Sequence, residues 1–335
     1  MAAVVCAGST MGWAQAGSRG TLLVVTKQAH ALALVDAATL QVIARIPIGE
    51  DPHEVAVGPD GRTAYVSNYG EGTLHTLAVV DLVNRTALPP IDLTPLVGPH
   101  GLIVHDKLIW LTAEGSKAVA TLDPATGRLQ MVLGTGQDMT HVVWVSKDGA
   151  KVVASNAGSA SMSVFDRTDI QKTLTAPPAP PVDYRVRGWK HTLVPVGNAA
   201  EGFDVSPDER EVWVGNGDGS ITVIDLLSEK VAATLTPNVP GANRLKFTPN
   251  GRLVLVTTHA GKDLVVIDAH TRAVTKRVPI QQHGASGIQV QPDGARAFIA
   301  CPRDHYVAVV DLASLRMVGK VDTGLEPDGM TWWSR

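Results

Sequence analysis

Three histidines stand in matched contexts along the chain: Pro52-His53-Glu54, Pro99-His100-Gly101 and Thr140-His141-Val142. Imidazole is a common protein ligand for zinc, copper and iron, and three of them leave coordination positions open for water or substrate. The same row continues through Ala200-Glu201-Gly202, Ala242-Asn243-Arg244, Ala285-Ser286-Gly287 and Pro327-Asp328-Gly329. Glu201 is therefore a candidate fourth ligand or general base, and Asp328 a second carboxylate able to move protons. Two residues beyond each member comes an apolar residue: Val55, Leu102, Val143, Phe203, Leu245, Ile288 and Met330. That pairing reads as the start of a strand that runs from a polar rim into a core. The competing reading is a hydrated funnel whose histidines stay too far apart to share an ion.

The elements that must carry this row also repeat. Seven apolar segments end in aspartate, at Asp36, Asp81, Asp123, Asp166, Asp225, Asp268 and Asp311, with spacings of 45, 42, 43, 59, 43 and 43 residues. Three residues after each comes a turn former: Thr39, Asn84, Thr126, Asp169, Ser228, Thr271 or Ser314. An aspartate at the first turn position accepts hydrogen bonds from backbone N–H groups two and three residues on. A period near 43 residues built from β-type segments predicts an all-β fold, a seven-bladed β-propeller of four-stranded blades. In such a ring, equivalent positions face one axis, and the histidine row lies at the top of the central channel.

One repeat shows the pattern in full. Val55 to Val57 form the innermost strand, Gly58-Pro59-Asp60-Gly61 turns it, and Ala64 to Ser67 return. Leu77 to Val80 form the third strand, and the fourth runs through Pro90 to Leu93. The first turn recurs as Lys147-Asp148-Gly149, Pro207-Asp208-Glu209, Pro249-Asn250-Gly251 and Pro292-Asp293-Gly294; the third repeat has only His105-Asp106-Lys107 there, a shorter hairpin. Proline presets φ for a tight turn and glycine takes the positive φ that follows. The chain opens at Thr21 on what reads as a second strand, and Pro327 to Trp332 matches an innermost one. The C-terminal strand is expected to join the first blade and close the ring, removing free sheet edges.

After the second strand come Val66-Ser67-Asn68, Ala154-Ser155-Asn156 and Val214-Gly215-Asn216. These strings, Ala64-Tyr65-Val66-Ser67-Asn68 above all, resemble the YVTN family of β-propeller repeats. The resemblance covers residue 21 to the end and implies the fold; because its motif is structural, it implies no particular reaction. The loops carrying these strings form a second ring on the side of the histidines, with Asn68, Glu114, Asn156, Asn216, His259 and Cys301. Asn68, Glu114, Asn156, Asn216 and His259 are candidate contacts for a small ligand held over the pore, although Asn also suits such turns for backbone reasons. His283 is a further rim residue that breaks the row.

Other strings carry less. Gly215-Asn216-Gly217-Asp218-Gly219 joins two strands, with no helix N-terminus to hold a phosphate. There is no G-x-S-x-G elbow for serine hydrolysis. The 59-residue spacing marks an insertion at about residues 171–192, where Pro177, Pro178, Pro180 and Pro181 predict a stiff polyproline excursion on the opposite face.

A net charge of −3 and a sequence pI near 6.4 give no basic footprint for nucleic acid. No apolar run reaches the roughly 18 residues of a membrane span. Residues 1–16 read as a signal peptide: Ala2 to Ala14 is small and apolar, and Ala14-Gln15-Ala16 fits a cleavage site, although no basic residue precedes Arg19. Removal of that leader would take Cys6 and leave Cys301 alone, without a disulfide. Residues 17–335 then form one propeller of the periplasm or cell exterior.

Two functional readings follow. In the first, the axial funnel binds copper, zinc, iron or a small polar ligand through His53, His100 and His141, as carrier, sensor or metal-dependent enzyme. Seven-bladed propellers with axial histidines include oxidases, lactonases and lyases, an analogy of fold alone. In the second, the protein is a non-catalytic scaffold that presents a face or the proline-rich insertion to a protein partner.

Overall fold

The computed structural model describes residues 20–334 except 176, 177 and 179. The leader, with Cys6 and Ala14-Gln15-Ala16, lies outside the described residues. Seven antiparallel four-stranded sheets make up the fold, so the propeller has the blade number the aspartate period predicts. The first blade takes its innermost strand, Pro327–Ser334, from the C-terminus; it pairs with Gly20–Thr26 from Gly20↔Ser334 to Thr26↔Pro327. The ring is closed by hydrogen bonds between the two ends of the described chain.

Why the strands are apolar on both faces follows from the radial packing. Along Gly20–Thr26, Leu23 and Val25 pack toward the second blade, on Val55, Val66 and Trp333, while Leu22 and Val24 pack toward the seventh, on Phe298 and Val309. Period two sends alternate residues to opposite neighbours, and both neighbours are blades. Each fully buried Val or Leu contributes about 1.5–3 kcal/mol, and these interfaces hold the ring together without a disulfide among the described residues.

The aspartates cap their turns as the spacing predicts at Asp36, Asp81, Asp123, Asp225, Asp268 and Asp311; Asp36 Oδ1, for example, accepts from the Ala38 and Thr39 N–H groups at 3.0 and 2.8 Å. Asp166 departs. Its strand runs on through it, Ser161–Leu174 against Val182–Pro195, and its carboxylate pairs with Lys151 instead. The insertion is a β-ribbon on either side of its prolines, with Leu174 opposite Val182; of the proline run expected to form a polyproline excursion, Pro177 lies outside the described residues. In the third blade's short hairpin, Asp106 and Lys107 both take positive φ (45° and 66°), the twist a two-residue turn requires.

One crowding rule shapes the axis. Immediately after the row residues come Glu54, Gly101, Val142, Gly202, Arg244, Gly287 and Gly329. A Cβ on Gly202 would stand 2.1 Å from the Asn243 carbonyl oxygen, and one on Gly329 would stand 2.2 Å from that of His53. The glycines let neighbouring innermost strands touch and leave the axis to the side chains of Glu54 and Arg244.

Candidate metal centre

Ser and Thr hydroxyls on the second strands stitch the row into a ring. Ser67 Oγ donates to the His100 carbonyl (2.7 Å), Thr112 Oγ1 to that of His141 (2.8 Å), and Ser155 Oγ to that of Glu201 (2.7 Å). Each hydroxyl belongs to one blade and each carbonyl to the next. The row's backbone positions are thereby set relative to one another, and the side chains converge.

His100 and His141 stack with ring centroids 3.7 Å apart, and His53 follows at 4.7 Å from His100. Tyr69 sets its ring edge against His53 and His100, at 4.9 and 5.3 Å. Its hydroxyl donates to Glu114 Oε2 at 2.6 Å, and Glu114 Oε1 meets His141 Nδ1. His100, Glu114 and His141 are 1, 6 and 8% exposed, and one ligand atom from each lies within 4.8 Å of the others. The two imidazoles come from the first ring and the carboxylate from the second.

His53 stands beside this group with different partners: Nε2 lies 3.1 Å from Asp51 Oδ1, and Nδ1 lies 3.6 Å from Asp328 Oδ2. The Nδ1 atoms of both His53 and His100 are buried without a hydrogen-bond partner. Burial holds the His100 imidazole well below its ordinary range, and the neighbouring His141, His53 and Arg244 side chains push the same way. A neutral ring with a buried lone pair is what a metal ligand requires.

Across the funnel, Glu201 accepts from Asn243 Nδ2 at 2.6 Å and lies 3.5 Å from His259 Nε2. Burial alone would raise its pKa, but the His259 hydrogen bond and the charges of His141 and Arg244 outweigh it and hold the carboxyl at about 2. Asp328 is likewise lowered against its burial, by Lys27, His53 and Arg244. Both candidate proton carriers are held as carboxylates near neutral pH.

Arg244 is the residue that row-reading passed over. Its Nη2 lies 3.3 Å from Glu54 Oε1 and 3.4 Å from His141 Nε2, and its Nη1 lies 3.9 Å from Glu201 Oε2. It borders both the upper cavity of about 340 Å³, with the histidines, and the lower one of about 240 Å³ on the other side. Its position directly after Asn243, where neighbouring blades carry glycine, was the available signal. Tyr69 had none, since nothing in its loop's sequence distinguishes it from a turn residue.

The second ring divides. Glu114 joins the histidines and His259 reaches the funnel. The asparagines turn inward to their own loops: Asn156 to Thr140, Ser161 and Ser163, Asn216 to Gly197, Ser220 and Thr222, and Asn68 to Thr76. Cys301 is buried, and burial pushes its thiol up to about 12. His283 pairs at the rim with Asp304 at 2.6 Å.

No curated protein matches the chain. A solved structure of a functionally unknown protein from Desulfotomaculum acetoxidans superposes with a TM-score of 0.71 at 12% identity, over 93% of this chain and 98% of that one, a likeness of fold alone. Residues 100–290 match the family described as the cytochrome D1 heme domain. The funnel does not fit a heme. A tetrapyrrole needs a flat apolar slot beside an accessible axial ligand. Here His100 is stacked on His141 with Tyr69 at its edge, which leaves no flat slot over it, and the cavity walls carry Lys27, Glu201, Arg244, His259, Arg303 and Asp328. His100, Glu114 and His141 are a group that could hold an ion, and the chain that brings them together belongs to the cytochrome D1 heme domain family.

Proposed function

We propose that this protein is an exported propeller that holds a transition-metal ion at the top of its channel through His100, His141 and Glu114. One observation carries the reading: two buried imidazoles from the innermost strands of neighbouring blades and a buried carboxylate from the turn after Leu108–Ala113 converge within 4.8 Å. Two nitrogens and one oxygen suit zinc, copper or iron, and three protein ligands leave room for a water or substrate. His53 stands ready as a further ligand or as a hydrogen-bond acceptor for whatever the ion binds. When bound, the ion supplies Lewis acidity or a more acidic water. Of the chain's own groups, Arg244 and His259 are placed to hold negative charge, and the carboxylates of Glu201 and Asp328 to accept a proton. Export rests on the apolar leader and its Ala14-Gln15-Ala16 motif, and kinship with YVTN-like repeats on the strings around Asn68 and Asn156.

The test is elemental analysis of protein purified without a histidine tag. Stoichiometric zinc, copper or iron that disappears in the His100→Ala, His141→Ala double variant supports the reading. A wild type without metal, whose unfolding is unchanged by added metal or by chelators, sinks it and leaves the scaffold reading.

A further inference from the structure

The fourth blade differs from its sisters at the end of the molecule opposite the histidines. The strand Lys151–Asn156 pairs with Ser161–Leu174 only as far as Asp166. Beyond that point the two long strands continue alone, pairing Arg167↔Trp189 through Leu174↔Val182. Period two sorts their side chains. Ile170↔Val186, Lys172↔Tyr184 and Leu174↔Val182 share one face, and Asp169↔Arg187, Gln171↔Arg185 and Thr173↔Asp183 share the other. The second face satisfies itself: Thr173 Oγ1 donates to Asp183 at 2.6 Å, Arg185 Nε to Gln171 at 3.3 Å, and Arg187 pairs with Asp169 at 3.5 Å. The first face does not. Leu174, Val182 and Tyr184 are 58, 56 and 42% exposed.

A two-stranded ribbon is marginal in water by itself, and a clustered apolar face on one marks a surface that meets something. Charge says what. Within the segment 167–190 the basic residues Arg167, Lys172, Arg185, Arg187 and Lys190 outnumber the acidic Asp169 and Asp183, and although Lys190 pairs with Glu229 of the next blade at 3.2 Å, a basic surplus remains on a chain whose net charge is −3. A second copy would bring like charges together across a two-fold axis, whereas an anionic surface complements them. The turn residues Leu227 and Val83, 94 and 52% exposed, lie at the same end of the propeller, in the hairpins equivalent to the ribbon's base.

We propose that the ribbon docks the propeller on an anionic lipid surface. The Leu174, Val182 and Tyr184 face enters the headgroup boundary together with Lys172, which shares it, while Arg185 and Arg187 on the other face exchange Gln171 and Asp169 for phosphates. Amphipathic segments bind membranes by this pairing of buried apolar area with basic charge, and long basic side chains bend to the interface. The docked orientation turns the histidine funnel away from the bilayer.

The test is co-sedimentation of the full chain with vesicles of equal parts phosphatidylglycerol and phosphatidylcholine, beside vesicles of phosphatidylcholine alone. Binding to the anionic vesicles is expected to be about tenfold tighter or more, and to weaken with salt. Leu174→Ser with Val182→Ser, and separately Lys172→Glu with Arg185→Glu, are each expected to weaken it about tenfold. These positions lie outside the four-stranded part of the blade, so an unchanged melting transition shows that the ring is intact. Equal binding to both vesicle types, no binding to the anionic ones, or ribbon variants that bind as wild type would each overturn the proposal. So would a ribbon-dependent dimer in light scattering without lipid binding, which would assign the face to a second copy.

Discussion

Arg244 of the sixth blade crosses the channel axis and meets Glu54 of the second, Nη2 to Oε1, at 3.3 Å. The pair divides the channel into an upper and a lower cavity. It exists because the glycines around it, Gly202 and Gly329 among them, leave the axis clear. Burial pushes the Glu54 carboxyl up, and Arg244 opposes that rise.

Removing one partner leaves the other buried and uncompensated. Arg244→Met is expected to destabilise the protein by about 3 kcal/mol, and the double variant Arg244→Met, Glu54→Gln by clearly less. Denaturant unfolding of the two single variants and the double variant checks this. Additive losses would mean the two side chains do not act as a pair.

Tyr69→Phe removes the hydroxyl that orients Glu114 while keeping the ring against His53 and His100. Outer partners of metal ligands are typically worth about 10–100-fold in affinity, and a loss of that size is expected here. Competition against a chromophoric chelator measures it; unchanged affinity would remove Tyr69 from the site.

Glu201 provides a pH signature. Its folded carboxyl titrates at about 2, below the ordinary 4.5 it regains on unfolding, so its contribution to stability is present above 4.5 and lost as the pH falls toward 2. Glu201→Gln should flatten the acid side of the stability curve in that window. Parallel curves for variant and wild type would contradict the ionised, hydrogen-bonded carboxylate.

The Cys301 thiol, pushed up to about 12, has almost no thiolate between pH 7 and 9. In a Cys6→Ser background, a disulfide-exchange reagent is expected to leave the folded protein unlabelled and to titrate one thiol after denaturation. Fast labelling of the native state would show the seventh blade opening.

Ring closure is the remaining mechanical test. Trp333 is 6% exposed, packs between the first two blades and donates from Nε1 to the Gly61 carbonyl at 2.8 Å. Trp333→Ala is expected to cost about 3–5 kcal/mol. Deletion of residues 325–335 should abolish the cooperative transition, because it uncovers the inner edge of Gly20–Thr26 and strips packing from the interfaces with both neighbouring blades. A truncated protein that melts normally would contradict closure by this strand.

Much of the fold is local, and so was legible. The Asp36-type turns, the Pro59-Asp60-Gly61-type hairpins and the two-sided apolar strands are each encoded within a few residues, and a period near 43 multiplies them into seven blades. Asp166 misled because a capping aspartate and one inside a longer strand have the same neighbours in sequence. Only the partner strand, Val182–Pro195, distinguishes them.

The row His53, His100 and His141 was readable because a propeller turns sequence period into a shared axis. Which atoms meet was not. Whether His53 or Glu114 stands with His100 and His141 depends on rotamers, on the Asp51 partner that draws His53 aside, and on Tyr69 reaching Glu114 from another blade. Those are contacts between residues tens of positions apart. Periodicity sets where a backbone passes the axis, but side-chain packing around a closed ring decides which polar groups touch.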